Sequence, residues 1–177
     1  MKKKNNANYI NKNPELAPEL EEKRVGSEIV FKGEFLNLYK DRVIASDGHS
    51  GVREYFSHPG AVAILPFLTN KTLLLERQWR YPLGKSMLEV PAGKIDPNED
   101  PKTAAKRELL EETGYIANEW CSLGLFYPVP AYSDEVIHLF FARSLELKES
   151  QSTDQGECIK LEKMGIDNFL NEIENNK

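Results

Sequence analysis

Three glutamates near the middle of the chain are spaced so that their carboxylates share one face of a helix. Glu108, Glu111 and Glu112 stand at positions i, i+3 and i+4, and residues with these separations are neighbours on a helix surface. Like charges this close repel one another, and one basic neighbour, Arg107, cannot neutralise three of them. Water could screen such a face, or a hard divalent cation such as Mg²⁺ could bind to it and then bind substrate phosphates. The spacing favours a metal site.

Local signals define both ends of that helix. Asp100 is a good N-cap residue, Pro101 suits the first helical position, and Gly114 suits the position just after the last turn. We therefore predict a short helix between Asp100 and Gly114 that carries all three glutamates.

The elements around the helix have the pattern of strands. Alternating residues from Glu28 onward, with turns near Gly33 and Gly48, predict a small antiparallel sheet. Apolar or alternating runs predict further strands at residues 61–68, 72–76, 87–90, 121–127, 136–142 and 158–161. Apolar residues with helical spacing between 166 and 173 predict a C-terminal amphipathic helix. Together these elements predict a mixed α/β fold that follows a small N-terminal antiparallel sheet.

Length and composition suggest one main domain with a small appended segment. The chain has 177 residues and a mass of 20.2 kDa, a size typical of one domain. Residues 1–25 are rich in Lys, Asn, Glu and Pro and predict a flexible arm. We expect a small antiparallel β subdomain over residues 26–57 and the main domain over residues 58–177.

Charge and hydropathy exclude several classes of function. A net charge of −5 argues against nucleic-acid binding through a basic surface. No apolar run approaches the length of a membrane span, and the basic N-terminus has no apolar segment behind it. Cys121 and Cys158 have no metal or redox spacing, so a disulfide and two free thiols both remain open, the thiols being simpler. We expect a cytoplasmic protein.

The region around the acidic helix resembles the Nudix family. The family's box is matched position for position by Gly93, Glu99, Arg107, Glu108, Leu109, Glu111, Glu112 and Gly114. The one departure is Tyr115, where an aliphatic residue is usual. The resemblance implies an α/β/α sandwich with a mixed sheet, and hydrolysis of a pyrophosphate with Mg²⁺, for which Mn²⁺ can substitute.

The same resemblance implies which residues hold the cation. Glu108 and Glu112 come first, then Glu111, and the Ala92 backbone carbonyl is a further ligand. Glu111 and Glu112 also count as catalytic residues, because a divalent cation activates the attacking water.

Three other residues of the box are implied to support the site. Arg107 orients one of the glutamates, and Glu99 supports the geometry between loop and helix. Gly93 allows a backbone conformation that a side chain would restrict.

The flanking segments resemble ADP-ribose pyrophosphatases and related nucleoside diphosphate sugar hydrolases. The segment RQWRYPLGKSMLEVPAGKID implies that Arg80 contacts substrate phosphates, a role that suits a guanidinium group. Arg53 resembles an arginine of the entry segment that reaches the substrate. A surface ion pair is the alternative for each arginine.

A loop after the box carries further marks of this subfamily. Pro130 falls sixteen residues after the glycine that ends the helix, which is the spacing of a marker proline. Val129 and Ala131 depart from the usual loop and leave the choice of substrate open. Asp134 and Glu135 are implied to contact the ligand, from a partner subunit.

The general base in this subfamily lies outside the box, in a mobile acidic loop. Residues 154–157 match that loop, and Glu157 is the predicted base. Glu135 and Glu111 are the competing candidates, and a merely solvated loop residue is the alternative for Glu157.

These observations favour hydrolysis of ADP-ribose to AMP and ribose 5-phosphate. A broader nucleoside diphosphate sugar hydrolase, acting on ADP-glucose or GDP-mannose, is the second hypothesis. A Nudix-fold binding module without turnover is the third. The resemblance also implies a homodimer with a shared active site, in which the N-terminal β subdomain of residues 26–57 is exchanged between subunits.

Overall fold

The structure is a computed structural model that describes residues 17–153 and 156–175. The chain forms two compact units, of which the first ends at Phe56 and the second begins at Ser57. Most of the predicted arm lies outside the described residues, up to residue 16. Its described part contains a short 3₁₀ turn at Pro18–Leu20.

The first unit is built on a three-stranded antiparallel sheet in the order β1-β2-β3. The strands are β1 (Lys23–Lys32), β2 (Asn37–Ile44) and β3 (Ser50–Ser57). β1 begins five residues before the predicted start at Glu28, because Lys23 already pairs with Ile44 of β2. The predicted small antiparallel sheet is confirmed.

The second unit contains a mixed seven-stranded sheet and two helices. Its elements are β4 (Ala61–Thr69), β5 (Thr72–Arg80), β6 (Lys85–Glu89), β7 (Ala92–Lys94), α1 (Pro101–Thr113), β8 (Tyr115–Phe126), β9 (Ile137–Leu147), β10 (Ile159–Gly165) and α2 (Ile166–Glu174). The main order is β10-β5-β4-β9-β8, with β4 and β9 parallel and the other neighbours antiparallel. The predicted mixed α/β fold is confirmed.

A split between β4 and β5 creates the space for a site. The two strands pair directly only next to their hairpin, at Phe67 with Leu73 and at Thr69 with Thr72. Beyond that point β7 pairs with β4 and β6 pairs with β5. The segment from β6 to β7 therefore lies in the gap between two diverging strands.

Helix α1 packs on the sheet through small and apolar residues. Ala104, Ala105 and Leu109 are fully buried and share a core cluster with Val62 and Ile64 of β4. Because these residues fix the rotation of the helix about its axis, they also fix the direction in which its glutamate side chains point.

The ends of α1 follow from capping chemistry, as predicted. Asp100 Oδ1 accepts hydrogen bonds from the backbone amides of Lys102, at 3.0 Å, and Thr103, at 3.2 Å. Gly114 ends the helix with a φ of 74°, a left-handed conformation that glycine adopts without steric cost.

Two strand predictions were too short. β8 begins at Tyr115, directly after the helix, where a start at residue 121 was predicted, and β9 continues to Leu147, beyond the predicted end at residue 142. The two strands form a long hairpin in which Tyr115 pairs with Leu147. Backbone pairing carries them through polar residues, where side-chain alternation gives no signal. No helix in the described part of the chain is both long enough and apolar enough to cross a membrane.

Candidate active site

One face of β5 carries three polar residues towards the split in the sheet. Glu76, Gln78 and Arg80 alternate along the strand and therefore share a face. Glu89 of β6 pairs directly with Glu76. The Nε atom of Arg80 donates a 3.0 Å hydrogen bond to Glu89 Oε1, and its Nη2 atom also donates to Glu89. Arg80, the predicted phosphate contact, is thus held beside a carboxylate pair.

Arg107 connects the acidic residues of the box. Its Nε atom donates to Glu99 at 3.0 Å, and its Nη1 atom donates to Glu108 at 2.8 Å and Glu111 at 3.0 Å. Its Nη2 atom donates to the Lys94 carbonyl at 3.1 Å. The hydrogen bonds with Glu99 are the first cause that raises the pKa of Arg107 and lowers the pKa of Glu99. The guanidinium group therefore joins the loop before α1 to two glutamates on the helix.

Gly93 provides the space in which the Glu108 carboxylate lies. A Cβ atom at residue 93 would lie 2.0 Å from Glu108 Cδ. Positive φ angles in the described residues do not include Gly93. Glycine is therefore needed at residue 93 because the Glu108 carboxylate approaches so closely. The predicted reason, a backbone conformation that a side chain would restrict, does not hold. Burial raises the pKa of Glu108, although Arg107 opposes the shift.

Glu112 points from α1 into the split. Its Oε2 atom accepts a 3.0 Å hydrogen bond from the Ala92 backbone amide, and the residue is 3% exposed. Burial raises the pKa of this carboxyl, and the charges of Glu76 and Glu108 raise it further.

Glu76 is the site residue that the sequence reasoning missed. It is 0% exposed, and neither carboxylate oxygen has a hydrogen-bond partner among the described residues. Burial is the first cause that raises its pKa, followed by the charges of Glu89 and Glu157. In the sequence it only ends the predicted strand 72–76. The available signal was the alternation of Glu76, Gln78 and Arg80 after a buried apolar run.

Glu157, the predicted general base, lies within electrostatic reach of the same group. Its Oε1 atom accepts a 2.9 Å hydrogen bond from Gln78 Nε2. Its charge raises the pKa values of Glu76, Glu108 and Glu112. Residues 154–155 of its loop lie outside the described residues. We call Glu76, Glu108, Glu112 and Glu157 the carboxylate cluster.

Other predicted site residues have different surroundings. In the first unit, Arg53 donates a 2.9 Å hydrogen bond from Nε to Glu22. Glu135 Oε1 lies 3.8 Å from His58 Nδ1. Asp134 accepts a 2.7 Å hydrogen bond from the His58 backbone amide and another from Ser57. Within the second unit, these two acids therefore bind the segment that leads into β4.

The backbone of the loop at Pro130 is not strained at Ala131, where the usual loop has another residue. Asn98 and Ser144 are the non-glycine residues with positive φ in the described part of the chain, so Ala131 is not among them. The alanine is therefore compatible with the conformation of this loop.

The residues of the cluster suit a divalent cation by chemistry rather than by a preformed cage. No three His, Cys, Asp or Glu side chains among residues 17–153 and 156–175 already surround one metal position. The donors are all oxygen atoms, the ligands that Mg²⁺ prefers. Moreover, Glu76 and Glu112 are buried acids, and within the described part of the chain no group donates a hydrogen bond to the Glu76 oxygens. These features favour a cation beside Glu112.

Comparison with known proteins assigns the family. Residues 57–176 match the family model described as the NUDIX domain. The chain belongs to the Nudix family. As a Nudix hydrolase it is related to ADP-ribose pyrophosphatases: it is 36% identical over 156 residues to the ADP-ribose pyrophosphatase of Bacillus subtilis (strain 168), which covers 88% of this chain and 84% of the relative.

Two further comparisons report a similar sequence and a similar structure. The chain is 38% identical over 154 residues to the methanol dehydrogenase activator of Bacillus methanolicus, covering 86% of this chain and 83% of the relative. It also resembles a crystal structure of an ADP compounds hydrolase, with a TM-score of 0.76 and 24% identity. That alignment covers 87% of this chain and 83% of the other, and at this identity it supports the fold.

Proposed function

We propose that this Nudix hydrolase cleaves the pyrophosphate bond of ADP-ribose to give AMP and ribose 5-phosphate. The observation that carries the proposal is the carboxylate cluster, of which Glu76 and Glu112 are buried, with Arg80 beside it. Acids and a guanidinium group together can hold a cation and a diphosphate at one place. The similarity to the Bacillus subtilis ADP-ribose pyrophosphatase supports this choice of substrate.

The residues that would hold Mg²⁺, or Mn²⁺ in its place, are Glu108, Glu112, Glu111 and the Ala92 carbonyl. When bound, the cation supplies charge neutralisation for the phosphates and activates water. Glu108 and Glu111 share Arg107 in the structure, so this guanidinium group sets their directions. In the proposed reaction these side chains position the cation against the diphosphate.

Glu157 is the proposed general base, and Arg80 the proposed phosphate contact. The hydrogen bond from Gln78 holds the Glu157 carboxylate in place within the carboxylate cluster. There it can accept a proton from the attacking water. The pair with Glu89 holds the Arg80 side chain in position at the same face of β5. Because phosphoryl transfer depends mainly on positioning and electrostatics, these two tethers are as important as the charges themselves.

Arg53 and Glu135 remain proposed substrate contacts, and a homodimer is part of the same proposal. Large apolar side chains near the end of β8 are 43% to 55% exposed; they are Leu123, Leu125, Phe126, Tyr127 and Tyr132. Exposed apolar side chains of this kind suit contact with a second copy of the chain. Light scattering would test this, since a mass near 20.2 kDa would contradict the dimer.

Glu112→Gln tests the metal-dependent reaction most directly. We expect the rate of ADP-ribose hydrolysis to fall about a hundredfold or more, because the neutral amide is a poor cation ligand. The matched control is Glu162→Gln, since Glu162 pairs with Arg77 outside the cluster. Circular dichroism and thermal unfolding would establish that both variants fold. Unchanged activity of Glu112→Gln would contradict the assignment.

A substrate panel separates the remaining hypotheses. Purified protein with Mg²⁺ would be tested on ADP-ribose, ADP-glucose and GDP-mannose, with release of AMP or GMP as the readout. Preference for a hexose nucleotide would replace ADP-ribose hydrolysis with the broader sugar nucleotide activity. Binding of these compounds without turnover would instead support a Nudix-fold binding module.

A further inference from the structure

We propose that Glu76 supplies an additional carboxylate oxygen to the divalent cation held beside Glu112. The cation would then be bound from the central sheet as well as from helix α1 and the β7 segment. This inference rests on the proposed metal site, and it adds a ligand that lies outside the box.

Glu76 lies in the interior of the second unit. Its exposed fraction is 0%, and both carboxylate oxygens lack hydrogen-bond partners among the described residues. An ionised carboxylate in such a position carries a large desolvation penalty unless a positive charge or several donors compensate it. A polar side chain this deeply buried is normally satisfied. The side chain that interacts with it most directly is another acid, Glu112, which brings no positive charge. Glu76 therefore indicates a cationic partner from outside the protein chain.

Side-chain donors near Glu76 bind other acids. Arg80 uses Nε and Nη2 for Glu89, the residue that pairs with Glu76 across the sheet. Gln78 donates its amide to Glu157. Like charges placed directly opposite on neighbouring strands repel one another. The strand pair thus brings Glu76 next to a second acid, and the charge of Arg80 offsets only part of the cost of burying the ionised carboxylate.

Several acids of the carboxylate cluster lie close enough to interact through their negative charges. Glu76, Glu112 and Glu157 influence one another electrostatically, and Arg107 hydrogen-bonds to other glutamates. A proton shared between Glu76 and Glu112 would neutralise one charge of this group, whereas a divalent cation neutralises two. Hard cations bind carboxylate oxygens, and acids from two elements provide the several ligands that Mg²⁺ and Mn²⁺ require.

The test is the binding of Mn²⁺ to the full chain, measured by the loss of the free-ion signal in electron paramagnetic resonance. We expect Glu76→Gln to weaken Mn²⁺ binding roughly tenfold or more, as the loss of a supporting acid does at metal sites. Glu76→Asp should weaken it as well, because the shorter side chain keeps the charge but not the reach. Glu162→Gln, one position along the register on β10, is the control and should bind as the wild type does.

Thermal unfolding gives a second readout that does not depend on activity. Without Mn²⁺, Glu76→Gln should be at least as stable as the wild type, because the amide removes a buried acid whose charged form is disfavoured by burial and by the charges of Glu89 and Glu157. Added Mn²⁺ should raise the melting temperature of the wild type more than that of the variant. A large loss of stability in the metal-free variant would show that Glu76 is satisfied within the chain and would overturn the inference.

The outcomes also separate this inference from the proposed function. Equal Mn²⁺ affinity in wild type and Glu76→Gln overturns the inference and indicates a shared proton, while hydrolysis of ADP-ribose by the wild type leaves the function intact. Wild-type affinity in Glu76→Asp overturns direct ligation. Mn²⁺ binding that depends on Glu76, in a protein that hydrolyses no nucleotide sugar, would keep the inference and remove the function. A wild type that binds no Mn²⁺ would overturn both.

Discussion

Glu108 places its carboxylate in the space where any side chain on residue 93 would begin. A Cβ atom on Gly93 would lie 2.0 Å from Glu108 Cδ and 2.2 Å from Oε1. Atoms cannot approach so closely, so a larger residue must displace the carboxylate or the strand. The glycine on β7 and the glutamate on α1 are therefore a matched pair, and the position of one proposed ligand depends on a missing side chain.

Gly93→Ala should consequently impair catalysis more than folding. We expect the rate of hydrolysis to fall about a hundredfold, because displacement of a catalytic group by about 1 Å can have that effect. Steady-state kinetics and circular dichroism would be measured together. Gly165→Ala is the control, because the nearest atom to its added Cβ lies at an ordinary 3.9 Å. Full activity in Gly93→Ala would show that the position of Glu108 is unimportant.

Arg107→Lys should weaken cation binding although the positive charge is kept. The guanidinium group contacts Glu99, Glu108 and Glu111 at once, and a single ammonium group cannot reproduce that fork. We expect Mn²⁺ affinity to fall roughly tenfold to a hundredfold, the usual effect of losing a group that orients metal ligands. Arg143→Lys, at an exposed pair with Glu119, is the control. Equal losses in the two variants would contradict a specific role for Arg107.

Glu157→Gln should lower turnover and leave Mn²⁺ binding nearly intact. A hydrogen bond from Gln78 positions the Glu157 carboxylate within the carboxylate cluster. Its proposed role there is to accept a proton from the attacking water, not to bind the cation. Loss of a general base lowers the rate by about a hundredfold or more. The measurement is kcat together with Mn²⁺ affinity. Glu135→Gln, beside His58, is the competing variant. If that variant loses turnover while Glu157→Gln keeps it, Glu135 is the base.

The sequence predicted those parts of the site that depend on local chemistry. The limits of α1 follow from Asp100, Pro101 and Gly114, whose effects act within a few residues. The spacing of Glu108 and Glu112 then places both on one side of the helix. The family resemblance added the segment around Ala92. Each of these features depends on residues that are close together in the sequence.

The rest of the cluster depends on pairing between distant segments. Glu76 enters the site because β4 and β5 separate and β6 pairs with β5, which places Glu89 opposite Glu76. No local pattern specifies that divergence. The surroundings of Arg53 and Glu135 likewise depend on Glu22 and His58, which are distant in sequence. Such contacts were not available from spacing, and the alternation of polar residues on β5 was the one accessible signal.

The N-cap of α1 provides a prediction that depends on pH. Hydrogen bonds from Thr103, first from its side chain and then from its backbone amide, lower the pKa of Asp100 below its ordinary value of 3.8. A lowered pKa means that the charged form stabilises the fold above pH 3.8 and that this contribution is lost as the pH falls through the folded-state pKa. Asp100→Ala should therefore lower the urea midpoint at pH 7, and its difference from the wild type should shrink in acid. Asp100→Asn keeps a capping oxygen without a titrating charge, so its midpoint should lie between the two at neutral pH. A difference between Asp100→Ala and wild type that stays constant from pH 7 to about pH 3 would contradict the role of the charge.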